Sequence, residues 1–189
     1  MSPFGWVRRG AQPRLLAGLS VLVGVVSVWL WVLGQGLVTP EASQGIVSFE
    51  LARQLARSGQ ILDSWSPRAR ETAMLVQGLD YLYLCLYPAW LSLAAARLGA
   101  RLGGRWSRTG LGVSWAVLGA GPLDAMENYA LIQQLIHGPS PLHAPLAWAC
   151  AVPKFALVAL AGIFLVLGGG AWLIARVRPG GPVPSGFDR

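Results

Sequence analysis

The sequence predicts an all-α membrane protein: a four-helix transmembrane bundle with an amphipathic helix in its first outer loop. Three observations lead there. Of 189 residues, 54% are apolar and 12% charged, about half the roughly 25% charge of a soluble domain. Mean hydropathy is +0.51. Uncharged stretches are long enough for helices crossing about 30 Å of hydrocarbon, where only a helix or a closed barrel satisfies its own backbone. The same composition excludes intrinsic disorder, and two cysteines exclude a disulfide framework. A net charge of +7 does not mark a nucleic-acid binder, because the basic residues flank apolar stretches instead of forming a patch with aromatics.

Four spans follow in order, at about 15–38, 72–96, 111–136 and 146–174, in one integral membrane domain with a flexible tail at 179–189. The first has a basic flank like a signal peptide, but its apolar run exceeds the usual 7–15 residues. It is read as a permanent anchor. Arginines orient the bundle. Arg8, Arg9 and Arg14 precede the first span, Arg97, Arg101, Arg105 and Arg108 separate the second from the third, and Arg176, Arg178 and Arg189 follow the fourth. Against these ten, the loop 39–71 holds four arginines and offsets them with Glu41, Glu50, Asp63 and Glu71. The positive-inside rule then places both termini in the cytoplasm. Among cell membranes, the simple arginine-rich bundle best fits a bacterial inner membrane. Trp65 and Trp148 fall near the outer boundaries, and Trp6, Trp106 and Trp172 near the inner ones, where amphipathic rings settle.

The outer loop carries its own structure. Thr39-Pro40-Glu41 reads as a hydroxyl cap, a pre-set φ and an acid on the helix dipole. Ile46, Phe49, Ala52 and Ala56 keep helical spacing, with Glu50, Arg53, Gln54 and Arg57 on a polar side. Ser58-Gly59 is expected to interrupt that helix, and the segment 40–65 to lie on the outer surface or lid the bundle. Glu50, Arg53 and Arg57 are its candidate lid residues. Ser66-Pro67 repeats the cap, so the second span's helix should begin outside the membrane.

Ionisable residues inside spans are the strongest functional pointer. Asp80 lies in the second, Asp124 and Glu127 in the third, and Lys154, the sole lysine, in the fourth. At about 1.5 Å per residue, Asp80, Glu127 and Lys154 sit roughly 12–14 Å from the outer ends, with Asp124 a turn deeper. Asp124, Glu127 and Asn128 share a helix face, as do Gln77, Asp80, Tyr83 and Tyr87. An ionised group near the bilayer centre costs about 2.5–3.5 kcal/mol, so these should converge and pair, with Lys154 against Asp80 or Glu127. Three carboxylates against one ammonium do not balance. Protonation, a bound cation or ligand, or Arg53 or Arg57 from the loop has to make up the difference. Pro88, Gly121-Pro122 and Pro153 each break the helical ladder near the layer, a common way to build sites in membranes. Interhelical glue is the plainer reading of the same residues.

Other chemistry is thin. HExxH, GxSxG and P-loop motifs are absent. Cys85 and Cys150 read as small core residues, and His137 and His143, six apart without a carboxylate, are a weak metal signal. Gly168-Gly169-Gly170 reads as close packing or a bend. The sequence calls for no cofactor and no metal. The leading expectation is a non-catalytic bundle with an outward-opening polar pocket that handles a lipid, a small polar ligand or a proton-coupled partner. The next is an enzyme with Asp124 or Glu127 as general base beside Lys154, acting on a lipid-like substrate. The third is an assembly subunit whose polar face pairs with another membrane protein.

Overall fold

The computed structural model describes residues 2–177; the tail expected at 179–189 lies outside them. The described chain is all helical, without strands. Its helices are α1 (Gln12–Gly34), α2 (Ile46–Glu50), α3 (Leu55–Ser64), α4 (Pro67–Leu102), α5 (Gly104–Leu118), α6 (Ala120–His137) and α7 (His143–Val177). Three stretches are long and apolar enough to cross a membrane: Gln12–Leu37, Pro67–Leu102 and His143–Val177. Their outward surfaces carry apolar side chains such as Val21, Trp29, Trp31 and Val166.

The stretch expected as one span at 111–136 is divided. Pro122 cannot donate the backbone bond that would continue the helix, and the division falls three residues earlier, at Gly119. Gly119 itself keeps helical dihedrals (φ −65°, ψ −18°), so α6 carries on the course of α5 across the break. The expected loop before this stretch is also much shorter. α4 runs on to Leu102, and Gly103 and Gly104, at φ 70° and 50°, turn the chain straight into α5. A Cβ on Gly99 would lie 2.7 Å from the Trp106 carbonyl oxygen, so the hairpin closes only because glycine stands there.

Ser66 caps α4 as its sequence predicts: its hydroxyl accepts from the Ala69 amide at 3.2 Å, and Pro67 opens the helix. Thr39-Pro40 behaves differently. Thr39 Oγ1 accepts from the Ala42 amide at 3.0 Å, but only a turn results. At Gly45 the backbone takes φ 58° and passes so close to Gly34 that a Cβ would sit 3.3 Å from its carbonyl oxygen. Only then does α2 start. The segment breaks at 51–54, not at Ser58-Gly59, which α3 contains. A lone helical glycine costs about 1 kcal/mol. Burial of Ser58, Ile61 and Leu62 along the same helix offsets that cost.

Two apolar cores result. One, under the short helices α2 and α3, joins Leu37, Phe49, Ile61, Leu62 and Trp65 to Val76, Leu131 and Ala147. Within it, Trp65 donates from Nε1 to the Leu37 carbonyl at 2.9 Å and meets Phe49 edge to face at 5.3 Å. Ala56, expected on the apolar stripe, is exposed. The other core packs Tyr87, Leu91 and Ala95 of α4 against Val113 and Val117 of α5 and Phe164 of α7. The polar layer lies between the two.

Candidate functional site

Lys154 is the centre of this layer. Pro153 sits immediately before it inside α7, and its ring removes the backbone bond to the residue four back. The Lys154 Nζ donates to Asp124 Oδ1 at 2.9 Å and to Glu127 Oε1 at 2.9 Å, with Glu127 Oε2 at 2.8 Å. Asp124 and Glu127 are three apart on α6, so one helix face presents both. Glu50, at the end of α2, closes the third side with Oε2 at 3.7 Å. Asp124, Glu127, Glu50 and Lys154 are 2%, 0%, 8% and 6% exposed. Tyr87 donates its hydroxyl to Asp124 Oδ2 at 2.9 Å, which fixes the carboxyl from the α4 side.

Asp80 is one step removed. The expected alternative of an Asp80–Lys154 pair is corrected: the Asp80 Oδ2 accepts from Asn128 Nδ2 at 2.7 Å, and no ion pair to Lys154 forms among the described residues. Asn128, next to Glu127 on α6, is 1% exposed, so the bond to Asp80 is made inside the protein. Tyr83, expected on the same stripe, turns away from the cluster. It accepts a hydrogen bond from Ser27 of α1 at 2.9 Å and stacks on Tyr87 at 5.1 Å. Gln77 is 1% exposed, and its Nε2 has no hydrogen-bond partner among the described residues.

The loop arginines do not supply the missing positive charge. Arg53 is exposed and lies over the Trp148 ring at 4.7 Å. Arg57 donates to the Glu41 carbonyl at 2.7 Å and to Gln60 at 3.3 Å. Glu50, by contrast, was grouped with the polar outer side and is buried instead. The reversal follows from the break after α2, which turns Glu50 inward beside Phe49. Burial pushes the Glu50 carboxyl above its ordinary range; Lys154 opposes the shift, and the charge on Asp124 adds to it.

Buried polar contacts escaped the sequence reading, among them Ser92 of α4 with Ser114 of α5 at 2.8 Å. Ser58 of α3 donates to Gln134 of α6 at 2.6 Å, both nearly inaccessible. Gln134 lies seven residues after Glu127, a helical repeat that extends the polar face of α6 towards its C-terminal end. Among the described residues, no group of His, Cys, Asp and Glu is arranged to hold a metal ion; the ammonium fills the centre of the carboxylates. Surface depressions lie elsewhere, one lined by Pro67, Glu71 and Leu75 and one by Thr39, Gln60 and Asp63. Cys85 and Cys150 are free; Cys150 is buried as a core residue, but Cys85 is exposed, so its reading as a core residue is corrected, and His143 packs edge to face on Tyr129 at 6.1 Å.

Comparison with protein-family models, with curated proteins and with solved structures finds no match to this chain.

Proposed function

We propose that this chain is a multi-pass cell-membrane protein whose enclosed charge cluster takes up and releases protons, and thereby governs how the outer segment sits on the spans. The observation that carries the reading is the closure of one ammonium, on α7, among carboxylates from two other parts of the chain: Asp124 and Glu127 on α6, and Glu50 at the end of α2. With Asp80 beside them, four acids face one base. Full ionisation would leave three uncompensated negative charges in a region of low dielectric, and each costs several kcal/mol. Protons are the smallest compensation available to groups as buried as Asp124, Glu127, Glu50 and Lys154. An enzyme acting on a lipid would instead need a carboxylate open to its substrate, and Asp124 and Glu127 are both spent on Lys154.

The finer architecture belongs to the same proposal. α5 and α6, aligned across Gly119, make the fourth crossing. Both termini are then cytoplasmic, as the arginine distribution requires, and the bacterial inner membrane remains the favoured setting.

Glu50 is the coupling element, because it is the member of the cluster that belongs to the outer segment. When docked it binds its proton more tightly than when free, so docking is strongest at low pH and weakens as pH rises through the raised value. Hydrogen exchange of residues 46–50 in the reconstituted protein, followed from about pH 5 to about pH 9, where raised carboxyls titrate, tests this after correction for the intrinsic exchange rate. Protection should fall as pH rises in the parent protein and stay flat in Glu50→Gln. A pH-independent parent would sink the proposal.

A further inference from the structure

The opposite end of the molecule carries a charged surface that the proton reading leaves unused. Arg14 lies in the first turn of α1, Arg97 and Arg101 near the end of α4, Arg105 and Arg108 near the start of α5, and Arg176 in the last turn of α7. Packing brings these ends together. Arg97 donates from Nη1 to Gln12 Oε1 at 3.1 Å, joining α4 to the start of α1. Gly99 abuts the Trp106 backbone at a distance only glycine permits, and Gly168 of α7 packs against the side chains of Leu98 and Trp106. No acidic residue lies between Asp80 and Asp124, or anywhere before Glu41. Among the described residues, none of these arginines is in an ion pair.

Aromatic and polar groups complete the surface. Trp6 is 82% exposed beside Arg8 and Arg9, and Trp172 lies under the Arg176 guanidinium at 4.1 Å. Gln12 reaches back with Nε2 to the carbonyls of Phe4 at 3.4 Å and Val7 at 3.3 Å, so the N-terminal segment hangs from the residue that holds Arg97. A guanidinium has five N–H donors, and the contact to Gln12 uses one.

We propose that this end is a binding surface for the phosphate headgroups of anionic phospholipids, and that lipid held there fastens the N-terminal segment and α1 to α4. Charge complementarity selects an anion. Location selects the source: the arginines ring the ends of apolar helices and sit among tryptophans of the kind that settle at headgroup level. A nucleic acid would need a continuous basic groove, whereas here the basic ring is interrupted by exposed apolar side chains such as Val177. α1 stands to gain most. Val26 is its one buried residue among those described, and its polar ties to α4 are Ser27–Tyr83, Ser20–Trp90 and Gln12–Arg97.

The test uses the full chain in nanodiscs of phosphatidylcholine alone and of phosphatidylcholine mixed with phosphatidylglycerol. The melting temperature should rise by several degrees in the anionic discs, and less so at high salt. Arg97→Gln with Arg101→Gln should lose most of the rise. Arg53→Gln with Arg68→Gln, which removes two charges from the other end, should keep it. Inorganic phosphate added to phosphatidylcholine discs should not reproduce it. Native mass spectrometry of the parent protein, which needs no variant to fold, should show phosphatidylglycerol retained several-fold over phosphatidylcholine. Equal melting and equal retention in the two lipids overturn the proposal. So does a phosphate-induced rise as large as the lipid's, or an equal loss in the outer pair of variants.

Discussion

Lys154 shows what a single residue does in this chain and how far its role was readable. That a lone lysine in a span needs a carboxylate follows from solvation energy alone, and the helical spacing of Asp124 and Glu127 pointed to a shared face. The choice of Asp80 as a partner came from counting depth along straight helices. Depth gives level but not azimuth, and Asp80 accepts from Asn128 instead. The inward turn of Glu50 was not readable, because period counting assumed one helix through 46–57 and the chain breaks at 51–54. Removing one member of a buried pair costs about 3–5 kcal/mol, since the partner charge is left behind. Lys154→Met should therefore lower stability by that order in detergent unfolding. Adding Asp124→Asn or Glu127→Gln should recover much of the loss, and adding Asp80→Asn should recover little. Recovery by Asp80→Asn alone would mean that the ammonium pairs with α4 and not with the carboxylates of α6.

At the scale of elements, two signals of the same kind led to different outcomes. Ser66-Pro67 and Thr39-Pro40 both present a capping hydroxyl and a proline, and both hydroxyls accept the amide three residues on. The first begins a helix of 36 residues and the second a turn. The difference is tertiary: Gly45 must pass against Gly34, which forces a positive φ where a helix would otherwise continue. The break at Gly119 was hidden for a related reason, since Pro122 was read as a local disturbance and not as a division of the span. Close helix contact gives a sharper test. Gly99→Ala puts a methyl 2.7 Å from the Trp106 oxygen, and overpacking of this kind costs about 1–3 kcal/mol. Gly112→Ala meets nothing within 4 Å, so removing a flexible helical glycine there should be neutral or stabilising by up to about 1 kcal/mol. Thermal melting of the two variants should separate them in that order; equal melting would show that α4 and α5 do not approach as closely as described.

For the whole molecule, the sequence conveyed class more securely than count. Apolar composition and length identify membrane-crossing helices without any tertiary information, and three such stretches are present. A fourth crossing depends on joining α5 to α6, which composition cannot decide once the helix is broken. Orientation depends on that count. With α5 and α6 as one crossing, the hairpin at 103–104 and the turn near Ser140 lie on opposite sides of the membrane; if the pair re-enters without crossing, they lie on the same side. The arginines bear on this independently, because four of them border the hairpin whereas residues 137–145 contain none. That asymmetry favours opposite sides, with the hairpin inside. Single cysteines placed at Ser107 and at Ser140 in a Cys85→Ser, Cys150→Ser background decide it in intact cells. An impermeant thiol reagent added outside should label the Ser140→Cys protein and leave Ser107→Cys unlabelled until the membrane is opened. Labelling of both from outside would reduce the crossings to three and place the charge cluster against a re-entrant α6. Labelling of Ser107→Cys alone would invert the protein, and Glu50 would then meet the cytoplasm instead of the exterior.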